Sequence, residues 1–207
     1  MYIPKAFEEK DVKVLQTFMY EHSFATLITQ QEGVPLANHL PFMLDTQRGP
    51  YGTLMTHMAR ANVQWRTFEA GKEVLVLFQG PHTYVSPSWY GDDVELSVPT
   101  WNYSAVHAYG IATIIDDHEE LYSILKKLVQ VNEAQFEQPW QLQLSANDAE
   151  KKMRSIVGVA IEITRLEGKF KLSQNRSKGD QAQVIEALQD GLSPATAELM
   201  RKRLQKR

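Results

Sequence analysis

The chain has 207 residues, of which 43% are apolar and 23% charged, so it can bury a core and does not have a disordered or fibrous composition. Its formal net charge of −3 and lack of cysteine exclude an overall basic nucleic-acid binder, a disulfide framework and thiolate chemistry. No signal peptide or membrane-spanning run is evident, which predicts a cytoplasmic protein.

The first half of the chain is predicted to form one helix followed mainly by strands. Apolar residues at three- and four-residue steps predict a helix over residues 8–22. β-prone runs between turn residues predict strands at 24–30, 34–44, 53–56, 73–79 and 83–86. A short helix is expected at 62–70, with Asn62 as its N-cap and with Trp65 and Phe68 facing the core.

The second half is predicted to begin with a strand over 100–115, bent at Gly110. A long helix starting at Asp116 or Asp117 should bury one apolar face. The side chains of that face are Leu121, Leu125, Leu128 and Val131. The remaining predicted elements are a helix at 147–156, a β-hairpin formed by 158–165 and 169–173, and helices at 180–189 and 194–206.

About seven mostly hairpin-connected strands with segregated helices predict an α+β fold. Closing an antiparallel sheet into a barrel would remove its edges. No G-x-G-x-x-G follows a strand, so a Rossmann fold has no support. We expect one domain over residues 1–176 and a helical extension over 177–207.

The segment from Thr56 to Asn62 lies between a predicted strand and a predicted helix. Backbone N–H groups at a helix start favour an anion, and Arg60 would add a bidentate phosphate contact. A solvated arginine beside an ordinary cap is the alternative, and the residue types leave both open.

Three further segments carry polar and aromatic side chains. Residues 79–90 combine aromatic rings with polar tips, as flat-ligand sites do, although composition alone favours a strand with core aromatics. On the strand that follows, Trp101 and Asn102 point to opposite faces. Residues 171–176 place five polar side chains at a strand end, where a capping loop is the alternative. The histidine spacing disfavours a metal site.

In chain order, these segments resemble the PaiB-type FMN-binding negative transcriptional regulators. The matching motifs are M-Y-I-P-x-x-F from Met1, N-H-L-P-F from Asn38, H-M-A-R-A-N-x-x-W from His57, F-Q-G-P-H-x-Y-V-S-P-S-W-Y from Phe78, V-P-T-W-N-Y-x-A-V-H from Val98 and K-L-S-Q-N-R from Lys171. One departure is Val63, where the family usually has proline.

The resemblance implies an antiparallel split β-barrel with peripheral helices, related to pyridoxamine-phosphate-oxidase-like flavoproteins. It also implies a homodimer that binds FMN near the subunit interface and represses sporulation or degradative-enzyme genes. The phosphate is expected on segment 57–62, and the ring against residues contributed in part by the second subunit. The implied cofactor-binding residues are His39, Thr56, His57, Arg60, Asn62, Gln79, His82, Trp89, Trp101, Asn102, Lys171, Gln174, Asn175 and Arg176.

Two questions of function stay open at this stage. Related split barrels include flavin- and haem-dependent oxidoreductases, and the cofactor rather than the protein supplies such redox chemistry. The last predicted helix is dense in lysine and arginine, so any direct contact with DNA is expected from the C-terminal helix pair. The alternative is a solvated helix that docks on the barrel through Leu199 and Leu204.

Overall fold

The structure is a computed structural model that describes residues 1–91 and 97–205. Its strands are β1 (Glu8–Glu9), β2 (Phe24–Gln31), β3 (Val34–Pro41), β4 (Met43–Asp45), β5 (Thr53–Ala59), β6 (Glu73–Val85), β7 (Thr100–Ile115) and β8 (Ile156–Lys171). Its α-helices are α1 (Val12–Glu21), α2 (His118–Glu133), α3 (Ala146–Arg154), α4 (Lys178–Ala187) and α5 (Pro194–Gln205). Short 3₁₀ turns cover Lys5–Phe7, Val63–Thr67 and Pro87–Trp89, and a π-helical turn covers Leu188–Leu192.

The strands form one eight-stranded sheet in the order β3-β2-β6-β7-β8-β5-β4, with β1 paired to β8. The β2–β3 hairpin turns at Glu32 and Gly33, both of which have positive φ. Its register sets Leu27 opposite Asn38, while the antiparallel β5–β8 pair sets His57 opposite Gly158. Among the described residues, no helix is long and apolar enough to cross a membrane.

The chain divides into two compact units. Unit 1 consists of Met1–Phe18, Gln79–His107 and Glu167–Arg207, and unit 2 of Met19–Phe78 and Ala108–Leu166. Strands β6, β7 and β8 each contribute one part to each unit. Helices α4 and α5 belong to unit 1. This division into units does not test the domain boundary expected at residue 176, which stays a prediction.

Helix α2 covers the core of unit 2. Asp117 caps its N-terminus by accepting a hydrogen bond from the backbone N–H of Glu120. The buried cluster beneath it comprises Met55, Ile115, Leu121, Ile124, Leu128, Met153 and Ala160. Leu125 is partly buried, but Val131 is 45% exposed, so the expectation that it is inside was wrong. The buried stripe ends before the helix does.

Two glycines that indicate turns in the sequence lie instead inside long strands, where they permit close packing. Strand β6 runs unbroken through Gly80, where a Cβ would lie 2.5 Å from Ser104 Oγ. Strand β8 runs unbroken through Gly168, where a Cβ would lie 2.3 Å from Leu15 Cδ2. The predicted break in β6 and the predicted hairpin over 158–173 were therefore wrong, because glycine in a strand also permits close approach of a neighbour.

Other boundaries differ by smaller amounts. The first helix begins at Val12, and the run predicted as one strand over 34–44 is divided into β3 and β4. The helix expected at 62–70 is only the 3₁₀ turn Val63–Thr67. Asn62 caps it as predicted, but Trp65 and Phe68 are half-buried, and the residue that enters the core is Gln64.

Candidate functional site

In unit 2, strand β5 and the residues that link it to the following 3₁₀ turn include four of the predicted site residues. The strand continues to Ala59, so His57 lies within the sheet and not on the loop expected from the sequence. Thr56 is buried, and its hydroxyl donates to the carbonyl oxygen of Pro41 at 2.7 Å. Asn62 Oδ1 accepts the backbone N–H of Gln64 at 3.1 Å. The segment is thus anchored at both ends.

Arg60 is exposed, and its guanidinium is held in one orientation by backbone carbonyls. Nε donates to Arg154 O and Nη2 donates to Ile156 O, each at 2.9 Å. The indole N–H of Trp65 donates to Arg60 O at 3.1 Å. Five N–H groups belong to a guanidinium, so these two bonds leave its Nη1 edge available to an anion. A bidentate contact would have to use that outer edge.

His57 has a buried ring nitrogen that lacks a partner. Its Nδ1 makes no hydrogen bond within residues 1–91 and 97–205. Burial lowers the pKa of His57 below its usual value, because the charged imidazolium loses hydration. The neutral imidazole is therefore favoured near neutral pH, with one nitrogen free to accept or donate a hydrogen bond.

Gln64 is the residue of this region that the sequence analysis missed. It is fully buried, and its Nε2 lies within hydrogen-bond distance of Leu27 O, Thr29 Oγ1 and Leu36 O. Its Oε1 accepts from Asn38 Nδ2 at 2.9 Å. This amide ties the 3₁₀ turn to the β2–β3 hairpin. A single glutamine between Val63 and Trp65 carries no periodic signal that would have revealed it.

His39, the remaining predicted residue of unit 2, lies exposed on β3. Its Nδ1 pairs with Thr26 Oγ1 at 2.9 Å across the hairpin. Its ring centroid is 6.3 Å from that of Phe24, which is 69% exposed. The ring therefore has a fixed position on an open face.

Unit 1 contains the other predicted residues, beginning with an exposed row of aromatic rings on β6 and β7. The centroid of Trp101 is 5.9 Å from that of His82 and 6.4 Å from that of Tyr84. Trp101 is 53% exposed. Gln79 is also exposed, and Trp89 is half-buried at the end of a 3₁₀ turn. This row offers flat apolar surface to a ligand.

Asn102, by contrast, belongs to the core of unit 1. It is fully buried, and its Nδ2 donates to Ser173 Oγ at 2.9 Å. Ser173, which the sequence analysis did not single out, has a φ of +63° and is itself buried. A left-handed conformation is uncommon for serine, so the local contacts must stabilise it.

The polar segment 171–176 is largely committed to internal contacts. Gln174 is buried, with its Oε1 accepting from the backbone N–H of Leu172 at 2.6 Å. The guanidinium of Arg176 lies 4.2 Å from the ring centroid of Tyr90, and its Nη1 donates to Ser97 Oγ at 3.2 Å. Of this segment, Asn175 is exposed, and Lys171 and Arg176 are half-buried.

The predicted site residues thus form two groups. His39, Thr56, His57, Arg60 and Asn62 belong to unit 2. Gln79, His82, Trp89, Trp101, Asn102, Lys171, Gln174, Asn175 and Arg176 belong to unit 1. Each group joins residues far apart in sequence, and their assignment to a cofactor stays a prediction.

Comparison with solved structures places the sheet and its helices in the class of split-barrel flavin-binding folds. The flavocytochrome Anf3 from Azotobacter vinelandii superposes with a TM-score of 0.63 at 13% identity, covering 87% of this chain and 78% of that one. The FAD and haem binding protein from Mycobacterium smegmatis gives a TM-score of 0.61 at 15% identity, covering 84% and 78%. These likenesses establish the α+β split-barrel fold that the sequence predicts.

The family follows from sequence. The model of the family described as "Putative FMN-binding domain" matches residues 1–165. The protease synthase and sporulation protein PAI 2 of Bacillus subtilis is 41% identical over 100% of this chain and 99% of its own length. An uncharacterised protein of Aspergillus fumigatus is 33% identical over 91% of each chain. The chain belongs to this family, and the resemblance to PaiB-type proteins is confirmed.

Proposed function

We propose that this protein binds FMN as a homodimer and acts in the cytoplasm as a negative transcriptional regulator like PAI 2. The observation that carries the binding proposal is the pairing, on one segment, of an oriented exposed Arg60 with the unpartnered buried nitrogen of His57. A phosphate group needs a cation and hydrogen-bonding partners at close range. Membership of the FMN-binding domain family supports the same ligand.

The residues of the segment fit a phosphate. Arg60 would neutralise charge through its Nη1 edge, while the carbonyls of Arg154 and Ile156 hold the guanidinium in place. Neutral His57 would add a hydrogen bond without a second full charge. FMN would supply hydride or electron chemistry when bound, and the chain supplies position and electrostatics.

The flavin ring is proposed to lie against unit 1 of a second copy of the chain. The exposed row formed by His82, Tyr84 and Trp101 offers the flat apolar surface that such a ring requires. Asn102 is a poor candidate for this contact because its amide is bonded inside the core. A dimer is therefore part of the proposal.

The regulatory role rests on the full-length similarity to PAI 2, whose name refers to protease synthesis and sporulation. The second candidate, a flavin- or haem-dependent oxidoreductase, is favoured by the state of the basic helix α5. Arg203 pairs with Glu9, and Arg201 and Lys202 both lie near Glu198. Cations already engaged by carboxylates are less available to DNA phosphates, so repression could act through redox chemistry or a protein partner.

A titration of FMN into wild type and Arg60→Ala tests the binding site. Loss of a charge-assisted contact costs about 1.5–3 kcal/mol, or roughly ten- to a hundredfold in affinity. Arg66→Ala is the matched control, because Arg66 is exposed six residues further on and stacks on Trp65. Equal affinities for wild type and Arg60→Ala would refute the assignment.

Two further measurements separate the functions. Sedimentation with and without FMN tests the shared site, which a fully FMN-binding monomer would refute. Addition of NADH or NADPH to the flavin-loaded protein without oxygen tests the redox candidate. Rapid bleaching of the flavin favours an oxidoreductase, and a flavin that stays oxidised favours the regulator.

A further inference from the structure

Lys169, which lies on β8 within unit 1, is a buried residue whose ammonium has no carboxylate within ion-pair distance among the described residues. The residue is 8% exposed. Its Nζ lies 5.1 Å from the ring centroid of Tyr103 and 5.7 Å from that of Tyr2. It makes no ion pair or hydrogen bond with the residues that the structure describes. Aromatic faces attract an ammonium, so the two rings hold this cation in place.

Three carboxylates on the neighbouring positions of β1 and β8 pair with other cations. Glu8 stands opposite Lys169 in the β1–β8 pair, but its Oε2 lies 3.2 Å from Lys10 Nζ. Glu9 pairs with Arg203, and Glu167 lies 2.5 Å from the amino group of Met1. Among the described residues, the surroundings of Lys169 therefore keep an excess of positive charge.

Lys171 adds a second cation two residues along the same strand. Its Nζ donates to Thr100 Oγ1 and to Trp101 O, each at 2.5 Å. An ammonium has three N–H groups, so one remains for a ligand. Burial, and next the charge of Lys169, lower the pKa of Lys171. An anion bound here would relieve both effects.

Flat aromatic surface lies on the same face of the sheet. Side chains two residues apart on a strand share a face, so Trp101 lies on the face of Tyr103. Lys169 lies against that face, since its Nζ is 5.1 Å from the ring centroid of Tyr103. Lys171, the last residue of β8, bonds to Thr100 Oγ1 and Trp101 O at the start of β7. Trp101 is 53% exposed there, beside His82 and Tyr84.

We infer that this face of unit 1 binds a planar aromatic anion, with Lys169 and Lys171 opposite its negative group and Trp101 against its ring. An aryl carboxylate is the simplest ligand of this chemistry. The same chemistry could be presented by a free small molecule or by the anionic reduced ring of FMN held by a second copy. The inference does not depend on the proposed phosphate site.

Calorimetric titration of the flavin-free, full-length protein with 2-naphthoate tests the site. 2-Naphthamide, which has the same ring system without the charge, is the neutral comparison. Naphthoate should bind about tenfold or more tightly than naphthamide, and Lys169→Met and Lys171→Met should each remove about that advantage. Lys171→Arg should retain it. Lys13→Met, an exposed lysine of α1, is the matched control.

The melting temperature separates a binding role from a structural one. Lys169→Met keeps nearly the same side-chain volume, so loss of naphthoate binding with an unchanged melting temperature assigns Lys169 a binding role. Equal binding of naphthoate and naphthamide, or full naphthoate affinity in both methionine variants, would overturn the inference. A lowered melting temperature with unchanged naphthoate binding would also overturn it.

The spectrum of the FMN-loaded protein distinguishes the two sources of the ligand. If naphthoate perturbs the visible spectrum of reduced bound FMN, the ring occupies this face. If naphthoate binds and leaves that spectrum unchanged, the face serves a free small molecule. Both outcomes support an aromatic-anion site. Failure of FMN to bind at all would refute the proposed function but leave the naphthoate titration unaffected.

Discussion

Asn38 and Gln64 are joined by a side-chain hydrogen bond of 2.9 Å that links the β2–β3 hairpin to the 3₁₀ turn after β5. Gln64 is fully buried, and its amide nitrogen faces acceptors on both strands of the hairpin. A buried amide with its hydrogen bonds satisfied specifies one arrangement of the groups around it. The position of the proposed phosphate segment therefore depends on a residue that would not touch the ligand.

Gln64→Leu should lower the free energy of unfolding by about 1–3 kcal/mol, because it leaves buried carbonyls and the Asn38 amide without partners. Urea unfolding measures this loss. Gln30→Leu, at an exposed position of β2, should change stability by less than about 0.5 kcal/mol. A Gln64→Leu protein as stable as wild type would contradict a structural role for the amide.

His57 should make stability fall in mild acid. Burial lowers its pKa in the folded state below the usual value of 6.5, so the unfolded chain takes up the proton first. The stability that the neutral ring contributes is fully present above that value and is lost as pH falls below it. His57→Gln should therefore lose less stability than wild type between about pH 7.5 and 5.5.

Urea unfolding at both pH values checks the His57 prediction. His82→Gln is the control, because His82 is exposed on β6. If His57→Gln and wild type lose the same stability over this interval, another group dominates the pH response. His22 and His107 also have pKa values lowered by burial, so their glutamine variants would be measured next.

Asn102→Ala should lower the free energy of unfolding by about 1–3 kcal/mol, because a buried amide and Ser173 lose their mutual hydrogen bond. Trp101→Ala, next to it on the exposed face, should cost far less. With FMN, the order should reverse, so that Trp101→Ala weakens binding more than Asn102→Ala. A large loss of FMN affinity in a still-stable Asn102→Ala protein would place the amide at the ligand.

The intact protein should show little salt-dependent binding to random duplex DNA. Truncation after residue 192 is a poor test of the basic helix, because Ala197 and Met200 are buried in unit 1. Arg201→Gln combined with Lys202→Gln removes exposed charge without opening the core. A steep dependence of affinity on salt, flattened in this double variant, would demonstrate phosphate contacts and contradict the expectation.

Local signals in the sequence were sufficient for the class of fold and most element positions. Strand β7 has the bounds that its β-prone run predicts, and Asp117 and Asn62 act as the expected caps. These features depend on neighbours in the chain, so the sequence carries them directly. The order of the motifs along the chain also indicates the family.

The tertiary structure alone decided what depends on neighbours distant in sequence. Gly80 and Gly168 read as turns locally, but packing against α1 residues makes them strand positions. The strand pattern puts Asn102 and Trp101 on opposite faces but does not show which face is buried. Contacts with Ser173 and Met200 bury the face of Asn102. The excess of positive charge around Lys169 likewise depends on the cations with which Glu8, Glu9 and Glu167 pair. Burial and charge balance are sums over residues that only the fold brings together.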